Sequence, residues 1–282
     1  MSARWAVLLA GLALACGGTD GRVTVGSKNF TEQRVLGELV AQTLEGEGVA
    51  VRRRFDLGGT FVCDTALRGG QIDVYVEYTG TALGAILKEP PRADPAAVLA
   101  RVREAYAPAG LTWLTPLGFD NTFALVVRGD AGVETISAAI GPARRWRAAF
   151  GYEFEQRADG WPALQQVYGL GFAAIRTMDL GLLYKALTDE QVDLVVSSAT
   201  DGLIDALGLR VLTDDRQAFP PYEAVPVART AMLRERPVVA RALHGLGGRL
   251  DVTTMRRLNH AVDGAGQSPA AVARAWRAAA QP

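Results

Sequence analysis

Three aromatic residues occupy positions where the wall of a ligand cleft is expected. Tyr78 follows a predicted strand, Phe123 lies in a strand predicted to cross between two lobes, and Tyr222 follows Pro220 and Pro221. The electron-rich face of an aromatic ring attracts a cation that has no hydrogen-bond donors, such as trimethylammonium. Single aromatic residues usually fill a core, but their joint placement at strand ends and hinges favours a binding site for a quaternary amine.

Residues for catalysis are scarce. His244 and His260 lie in arginine-rich helical segments and are interpreted as surface or hydrogen-bonded residues rather than bases. The sequence contains no Gly-x-Ser-x-Gly elbow, no His-Glu-x-x-His helix and no Cys-x-x-Cys pair. Cys63, at a predicted helix start, is interpreted as a small buried residue, and Gly58-Gly59-Thr60 is only a weak anion-binding signal. The chain is therefore predicted not to be an enzyme, and neither a metal nor a cofactor is predicted.

The first residues predict export. Arg4 precedes an apolar run from Ala6 to Ala15, which is too short to span a bilayer and is followed by Cys16. The residues before the cysteine match a bacterial lipoprotein cleavage site. Residues 1–15 are therefore predicted to be a signal peptide, Cys16 a lipidated membrane anchor in the periplasm or on the outer face, and residues 16–21 a tether. An ordinary secretory signal that happens to contain a cysteine is the alternative.

The composition disfavours other classes. The 282 residues include 30 Lys and Arg and 30 Asp and Glu, so the charge balance argues against a nucleic-acid partner. After Cys16 no apolar run approaches the length needed to cross a membrane. Cys63 is the only other cysteine, so no intramolecular disulfide is predicted if Cys16 carries lipid. With 49% hydrophobic residues, the sequence predicts a globular body.

The elements that must position these side chains follow an alternating pattern. Arg22–Gly26, Val49–Leu57 and Ile72–Val76 are predicted strands, with a predicted helix between each pair. Asn29 and Glu32 resemble a capping box at the start of the first helix. Strand, helix, strand, helix, strand predicts an α/β fold with largely parallel pairing.

A repeat in the sequence predicts two similar lobes. Gln71-Ile-Asp-Val-Tyr-Val76 follows a helix and precedes a polar stretch, and Gln191-Val-Asp-Leu-Val-Val196 does the same. Chance similarity of two α/β units is the alternative. If the repeat is structural, Tyr78 and Ser198 end equivalent strands, and ligands bind at such strand ends in open α/β sheets.

The chain is predicted to cross between the lobes twice. Asn121–Val127 is a predicted strand that leads from one lobe to the other, and the proline-rich Phe219–Pro226 is predicted to return as irregular structure. The remainder, from Val227, is predicted to be helical. The predicted boundaries are residues 22–121 and 224–282 for a discontinuous lobe 1 and residues 122–223 for lobe 2.

Five motifs stand in a fixed order along the chain: Gly26-Ser-Lys-Asn-Phe-Thr-Glu-Gln33, Leu57-Gly-Gly-Thr60, Ile72-Asp-Val-Tyr-Val-Glu-Tyr-Thr-Gly-Thr81, Arg157-Ala-Asp-Gly160 and Phe219-Pro-Pro-Tyr222. In this order they resemble the motifs of the glycine betaine/choline-binding proteins of osmoprotectant ABC importers. The similarity covers nearly all of residues 22–280. It implies a type II periplasmic-binding-protein fold, whose two lobes close over a quaternary-ammonium solute and deliver it to ABC permease subunits.

The same resemblance implies which residues form the aromatic part of the site. Family members that bind glycine betaine surround its trimethylammonium group with four tyrosines. The matching positions here are Tyr78, Phe123, Ser198 and Tyr222, so two of the tyrosines are replaced. Asn121, in the same motif as Phe123, is counted with the ligand-binding residues.

The resemblance also implies how the ligand carboxylate is held. The matching positions are Lys28, Thr81 and Arg157, and all three residue types are retained. Phe123 is a weaker cation site and Ser198 removes a wall. We therefore expect weaker binding of glycine betaine, or a bulkier ligand such as carnitine, choline or ergothioneine.

Two other interpretations stay open. A binding protein of the same fold for another carboxylate or amino-acid-like solute would use Lys28 and Arg157 for the carboxylate alone. An enzyme related to porphobilinogen deaminase would share this kind of lobe, with Cys63 matching its cofactor cysteine. The export signal and the absence of a base disfavour the enzyme.

Overall fold

The computed structural model describes residues 21–279. Its strands are β1 (Val23–Gly26), β2 (Val51–Arg54), β3 (Val74–Tyr78), β4 (Leu111–Trp113), β5 (Phe123–Arg128), β6 (Arg147–Phe150), β7 (Ala174–Thr177), β8 (Leu194–Ser198), β9 (Leu209–Leu212) and β10 (Ala224–Arg229). They form two five-stranded sheets, in the orders β2-β1-β3-β10-β4 and β7-β6-β8-β5-β9. We call the first sheet with its helices lobe 1 and the second sheet with its helices lobe 2.

Helices connect most of these strands. They are α1 (Thr31–Gly46), α2 (Thr60–Arg68), α3 (Thr79–Thr81), α4 (Pro95–Tyr106), α5 (Ile136–Ala143), α6 (Tyr152–Gln156), α7 (Trp161–Tyr168), α8 (Leu180–Thr188), α9 (Leu203–Ala206), α10 (Thr230–Glu235), α11 (Pro237–His244), α12 (Val252–Asp263) and α13 (Pro269–Ala279). The π-helical turn Ala82–Ile86 continues α3, and the 3-10 turn Ala107–Ala109 continues α4. α13 begins at Pro269 and lies in the part predicted to be helical, and Ser268 caps it by accepting the Ala271 amide.

Alternation along β3 explains how the sheet of lobe 1 buries both faces. Val74 and Val76 lie in the core that also contains the apolar stripe of α1, whereas Tyr75 lies in a second core with residues of α2 and α4. Successive side chains of a strand point to opposite faces. A strand covered by helices on both sides is therefore apolar at nearly every position, as β3 is.

Each sheet combines parallel and antiparallel pairing. β1 is parallel to β2 and β3, and β6 is parallel to β7 and β8. However, β10 is antiparallel to β3 and β4, and β5 is antiparallel to β8 and β9. The parallel pairing predicted for the first three strands is confirmed, whereas the strand that follows each crossing enters its sheet in the opposite direction.

The sequence repeat is a structural repeat. β3 and β8 occupy the same place in their sheets. The aspartate before each strand makes the same contact, since Asp73 accepts the Thr24 amide and Asp193 accepts the Arg147 amide, both at 2.8 Å. The Gln-x-Asp pattern therefore encodes a side-chain bond that ties each strand to its parallel neighbour.

Three local predictions need correction. Phe219–Pro226 was expected to be irregular and Val227 onward helical, but β10 spans Ala224–Arg229. Pro226 lies in this strand because it needs no N–H there, and its carbonyl accepts the Leu114 amide at 3.0 Å. The predicted capping box is absent as well: Phe30 is the N-cap residue of α1 and makes no side-chain cap bond.

The chain passes from lobe 1 to lobe 2 between β4 and β5 and returns between β9 and β10. Asp120 and Glu223 form an antiparallel bridge where the two connections run side by side. The boundaries at residues 121/122 and 223/224 stay a prediction. The proposed signal peptide and Cys16 lie outside the described residues, and no helix within residues 21–279 has the length and apolarity needed to cross a membrane.

Candidate functional site

The strand ends of both lobes meet where the chain crosses between them. Tyr78 ends β3 and Ser198 ends β8. The antiparallel partners bring the other positions to the same place, since Phe123 of β5 pairs with Ser198 and Ala224 of β10 pairs with Tyr78. The register of the two sheets therefore gathers side chains that are far apart in sequence at one edge.

An aromatic cluster fills the lobe 2 side of this edge. The ring centroid of Phe123 lies 4.8 Å from that of Phe154, 5.5 Å from that of Phe219 and 5.3 Å from that of Tyr222. These edge-to-face contacts fix the ring orientations as well as bury area. A methyl group on Gly80 would lie 2.8 Å from the Tyr222 ring, so a residue without a side chain is needed beside it.

Arg157 joins this cluster to lobe 1. Its guanidinium carbon lies 5.0 Å from the Phe123 centroid and 6.0 Å from the Tyr222 centroid. Its Nη2 donates to Thr81 Oγ1 at 3.3 Å, across the boundary between the lobes. The aromatic faces thus already accommodate a cation, as their quadrupole predicts.

Asp159 neutralises this arginine. Arg157 donates to both carboxylate oxygens, at 2.8 Å and 2.6 Å, and Tyr222 Oη donates to Asp159 Oδ2 at 2.8 Å. Burial lowers the pKa of Arg157, but the hydrogen bonds and charge of Asp159 outweigh burial and raise it overall. Burial, with the nearby Asp159 charge, also raises the pKa of Tyr222 well above its usual value, so its hydroxyl stays protonated and donates.

Lys28 is buried against an acid in the same way. Its Nζ donates to Glu77 Oε1 at 2.5 Å and to Thr60 Oγ1 at 3.0 Å, and it lies 5.1 Å from the centroid of the Tyr78 ring. Tyr75 Oη donates to the other oxygen of Glu77 at 3.1 Å. An ammonium group has three protons, and these two bonds leave the third for another acceptor.

Glu32 is a second buried carboxylate, at the start of α1. Its Oε1 accepts from Tyr78 Oη at 2.6 Å and from Asn121 Nδ2 at 2.8 Å. Its Oε2 accepts from Asn259 Nδ2 at 3.0 Å and from Thr200 Oγ1. Burial raises the pKa of Glu32, and the side-chain hydrogen bonds oppose that rise.

Comparison with known proteins identifies the group to which this arrangement belongs. Residues 21–279 match the family described as the substrate-binding domain of ABC-type glycine betaine transport systems. The chain belongs to this family. The glycine-betaine-binding protein of Pseudomonas aeruginosa is 36% identical over 94% of this chain and 92% of its own length. A carnitine transport binding protein, OpuCC of Listeria monocytogenes, is 30% identical over 91% of this chain and 86% of its own.

Solved structures confirm the two-lobed fold. A crystal structure of a glycine betaine/carnitine/choline ABC transporter superimposes with a TM-score of 0.79 at 30% identity, covering 91% of this chain and 98% of that one. This substrate-binding domain therefore has the α/β architecture of periplasmic binding proteins, as predicted. The members of this family are the substrate-binding components of ABC transport systems.

The structure brings the predicted site residues of this substrate-binding domain to one edge. Lys28 lies against the Tyr78 ring, and Asn121 shares the Glu32 carboxylate with Tyr78. Ser198 is opposite Phe123. A single contact network joins Thr81, Arg157, Phe123 and Tyr222. Which of them contact the solute stays a prediction.

Sequence reasoning missed the buried acids and two of the rings. Glu32, Glu77, Asp159 and Phe219 lie inside motifs that the sequence displays, and Phe154 stands three residues before Arg157. The available signal was the presence of acidic residues in otherwise apolar or ligand-lining stretches, since a buried acid needs a partner.

Cys63 and His244, which were considered for catalysis from the sequence, lie in surroundings typical of structural residues. Cys63 is fully buried on α2, as predicted, and burial raises the pKa of its thiol to about 12, so the reactive thiolate is disfavoured. His244 is exposed at the end of α11 and its Nδ1 pairs with the Thr115 hydroxyl. Neither group lies in the network around Arg157 and Tyr222.

Proposed function

We propose that this chain captures a solute with a quaternary-ammonium group and delivers it to an ABC permease. The observation that carries the proposal is that the Phe123 and Tyr222 rings face Arg157 while the Tyr78 ring faces Lys28, at strand ends that meet at the lobe boundary. Aromatic faces attract a cation that cannot be satisfied by hydrogen bonds, whereas the two basic side chains suit a carboxylate.

The binding mechanism follows from the two lobes. Tyr78 and Thr81 belong to lobe 1, and Phe123 and Arg157 to lobe 2, so a solute that touches all of them holds the lobes together. A ligand shifts such an equilibrium by the difference in its affinity for the two arrangements. Closure by a hinge at the paired connections, where Asp120 bridges Glu223, is the expected motion.

Replacing Tyr78 by alanine tests the proposal. We expect the wild-type chain to be stabilised against heat by choline, carnitine or glycine betaine, because a ligand that binds the folded state raises its stability. Tyr78→Ala is expected to bind the same solutes about tenfold or more weakly, because loss of one desolvated cation–π contact costs about 1–2 kcal/mol. Calorimetric titration measures the change.

Tyr106→Ala is the matched control for that variant. Tyr106 is fully buried in the core that α2 and α4 form against the sheet, where its hydroxyl donates to Asp64 at 3.0 Å. This variant is expected to lose stability while keeping the wild-type affinity. Equal affinities of wild type and Tyr78→Ala for every quaternary amine would reject the aromatic site.

Ser198→Tyr tests the size of the site. Ser198 is half-buried and directly opposite Phe123, so a tyrosine there adds a wall to the aromatic cluster. We expect this variant to bind glycine betaine about tenfold more tightly and to lose affinity for bulkier solutes such as carnitine. Titration of both ligands against wild type measures the exchange of preference, and an unchanged ratio of the two affinities would contradict it.

A second candidate solute is a carboxylate or amino acid without a quaternary amine. Lys28, which is buried, and Arg157, whose side chain is 9% exposed, favour it. This alternative would be established if the wild type does not bind choline and the Tyr78→Ala variant keeps full affinity for such a carboxylate.

The membrane attachment belongs to the same proposal. Cys16 follows an apolar run and is proposed as the lipidated first residue of the exported protein. Mass spectrometry of membrane-extracted protein tests it, since the Cys16→Ser variant is expected to lose the lipid and leave the membrane. We also propose that the chain has no enzymatic activity.

A further inference from the structure

The donors around Glu32 come from separate parts of the fold. Tyr78 ends β3 of lobe 1, and Asn259 lies on α12, which packs against α1. Asn121 lies in the connection between the lobes, and Thr200 follows β8 of lobe 2. One carboxylate therefore bonds to lobe 1, to the hinge and to lobe 2 at the same time.

The four donors match the capacity of a carboxylate. An ionised carboxylate only accepts, with about four sites on its two oxygens, and Glu32 receives four bonds from neutral side chains. A buried acceptor that loses a donor is left with its desolvation cost. The bonds therefore support one another, and the position of Tyr78 depends on the donor that lobe 2 supplies.

We infer that Glu32 is a positioning residue of the ligand site, which orients the Tyr78 ring in lobe 1 and is joined by Thr200 of lobe 2 when the lobes come together. The inference rests on the proposed quaternary-amine function, because Tyr78 is the ring that it orients. Solute binding and lobe closure then depend on the same carboxylate.

Neighbouring contacts agree with this placement of Thr200. Asn259 also donates to the Thr200 carbonyl at 2.9 Å, and Arg256 donates to the Ala199 carbonyl at 2.8 Å. A methyl group on Gly202 would lie 2.4 Å from the backbone nitrogen of His260, so the turn after β8 fits closely against α12. The Thr200 hydroxyl is thereby held at Glu32 by its own backbone.

Thr200→Val tests the inference, because valine keeps the shape and removes the donor. Loss of a hydrogen bond to a charged group weakens binding about tenfold or more. We therefore expect the dissociation rate of choline to rise about tenfold. The association rate is expected to change little, because the open lobes meet the solute before the bond forms. Stopped-flow fluorescence measures both rates.

Three further variants complete the test. Thr200→Ser restores a hydroxyl and is expected to return the dissociation rate to nearly the wild-type value. Thr188→Val is the matched control, since Thr188 donates only within its own helix, to the Tyr184 and Lys185 carbonyls. Glu32→Gln keeps the size of the side chain, is expected to raise the dissociation rate like Thr200→Val, and replaces that variant if valine prevents folding.

The outcomes separate the inference from the function on which it rests. Wild-type binding with unchanged dissociation rates in Thr200→Val and Glu32→Gln overturns the inference and leaves the proposed function intact. Failure of the wild type to bind choline, carnitine and glycine betaine overturns the proposed function. In that case the inference falls with it, because the Tyr78 ring that Glu32 orients would then bind no quaternary amine.

Discussion

Replacing Asp159 by alanine is expected to lower the free energy of unfolding by about 3–5 kcal/mol, because it leaves a buried guanidinium without its partner. Asp159 is 2% exposed and the Arg157 side chain 9% exposed, so water does not replace the lost contacts. Tyr222 loses its acceptor in the same variant. Urea denaturation of wild type and variant measures the difference.

Glu134→Ala is the control for this prediction. It removes the acid of the Arg210–Glu134 pair, which also lies in lobe 2 but has side chains that are 44% and 81% exposed. Exposed pairs contribute about 0–1 kcal/mol, so the control is expected to denature almost like the wild type. Similar losses in both variants would show that the burial of Asp159 does not set its contribution.

A second variant at position 159, Asp159→Asn, separates the effect on stability from the effect on binding. Asp159 holds Arg157 by two hydrogen bonds and so fixes where the guanidinium faces Thr81 and the Phe123 ring. Asp159→Asn keeps one acceptor and removes the charge. It is expected to unfold more easily than wild type yet to lose less affinity for a carboxylate-bearing solute than Arg157→Gln, which removes the cation itself.

The fold was largely predictable because its signals are local and repeated. The apolar spacing of α1 and the two Gln-x-Asp strands gave the α/β class and the repeated lobes. The path of β10 was not predictable, because Pro220, Pro221 and Pro226 disfavour a strand locally. Pairing with β3 and β4 overrides that preference, since a proline carbonyl can still accept a bond from a neighbouring strand.

The site was predictable by residue type but not by partner. Motif resemblance implied that Lys28 and Arg157 hold a ligand carboxylate, but it did not predict that each is also paired with a buried acid, Glu77 and Asp159. Sequence spacing cannot reveal such pairs, because Lys28 and Glu77 come from different strand ends that only the sheet register brings together. The prediction that Glu32 belongs to a capping box failed for the same reason, since one of its hydrogen-bond partners lies 227 positions away in the sequence.

Lys28→Met is expected to weaken the binding of glycine betaine much more than that of choline. Two protons of Lys28 bond to Glu77 and Thr60, which leaves one for the carboxylate of a solute near the Tyr78 ring. Choline has no carboxylate and does not need that proton. A hydrogen bond between charged groups is worth about 1.5–3 kcal/mol, or about 10–100-fold in affinity.

This variant also leaves Glu77 buried without a cation, which costs about 3–5 kcal/mol of folding stability. The double variant Lys28→Met with Glu77→Leu removes both charges, and replacing a buried pair by apolar residues is often neutral. We therefore expect the double variant to be more stable than Lys28→Met, although the buried Tyr75 hydroxyl loses its acceptor, while its affinity for glycine betaine stays low. Equal loss of betaine and choline affinity in the stable double variant would mean that Lys28 supports the site only through Glu77, and that Arg157 alone receives the carboxylate.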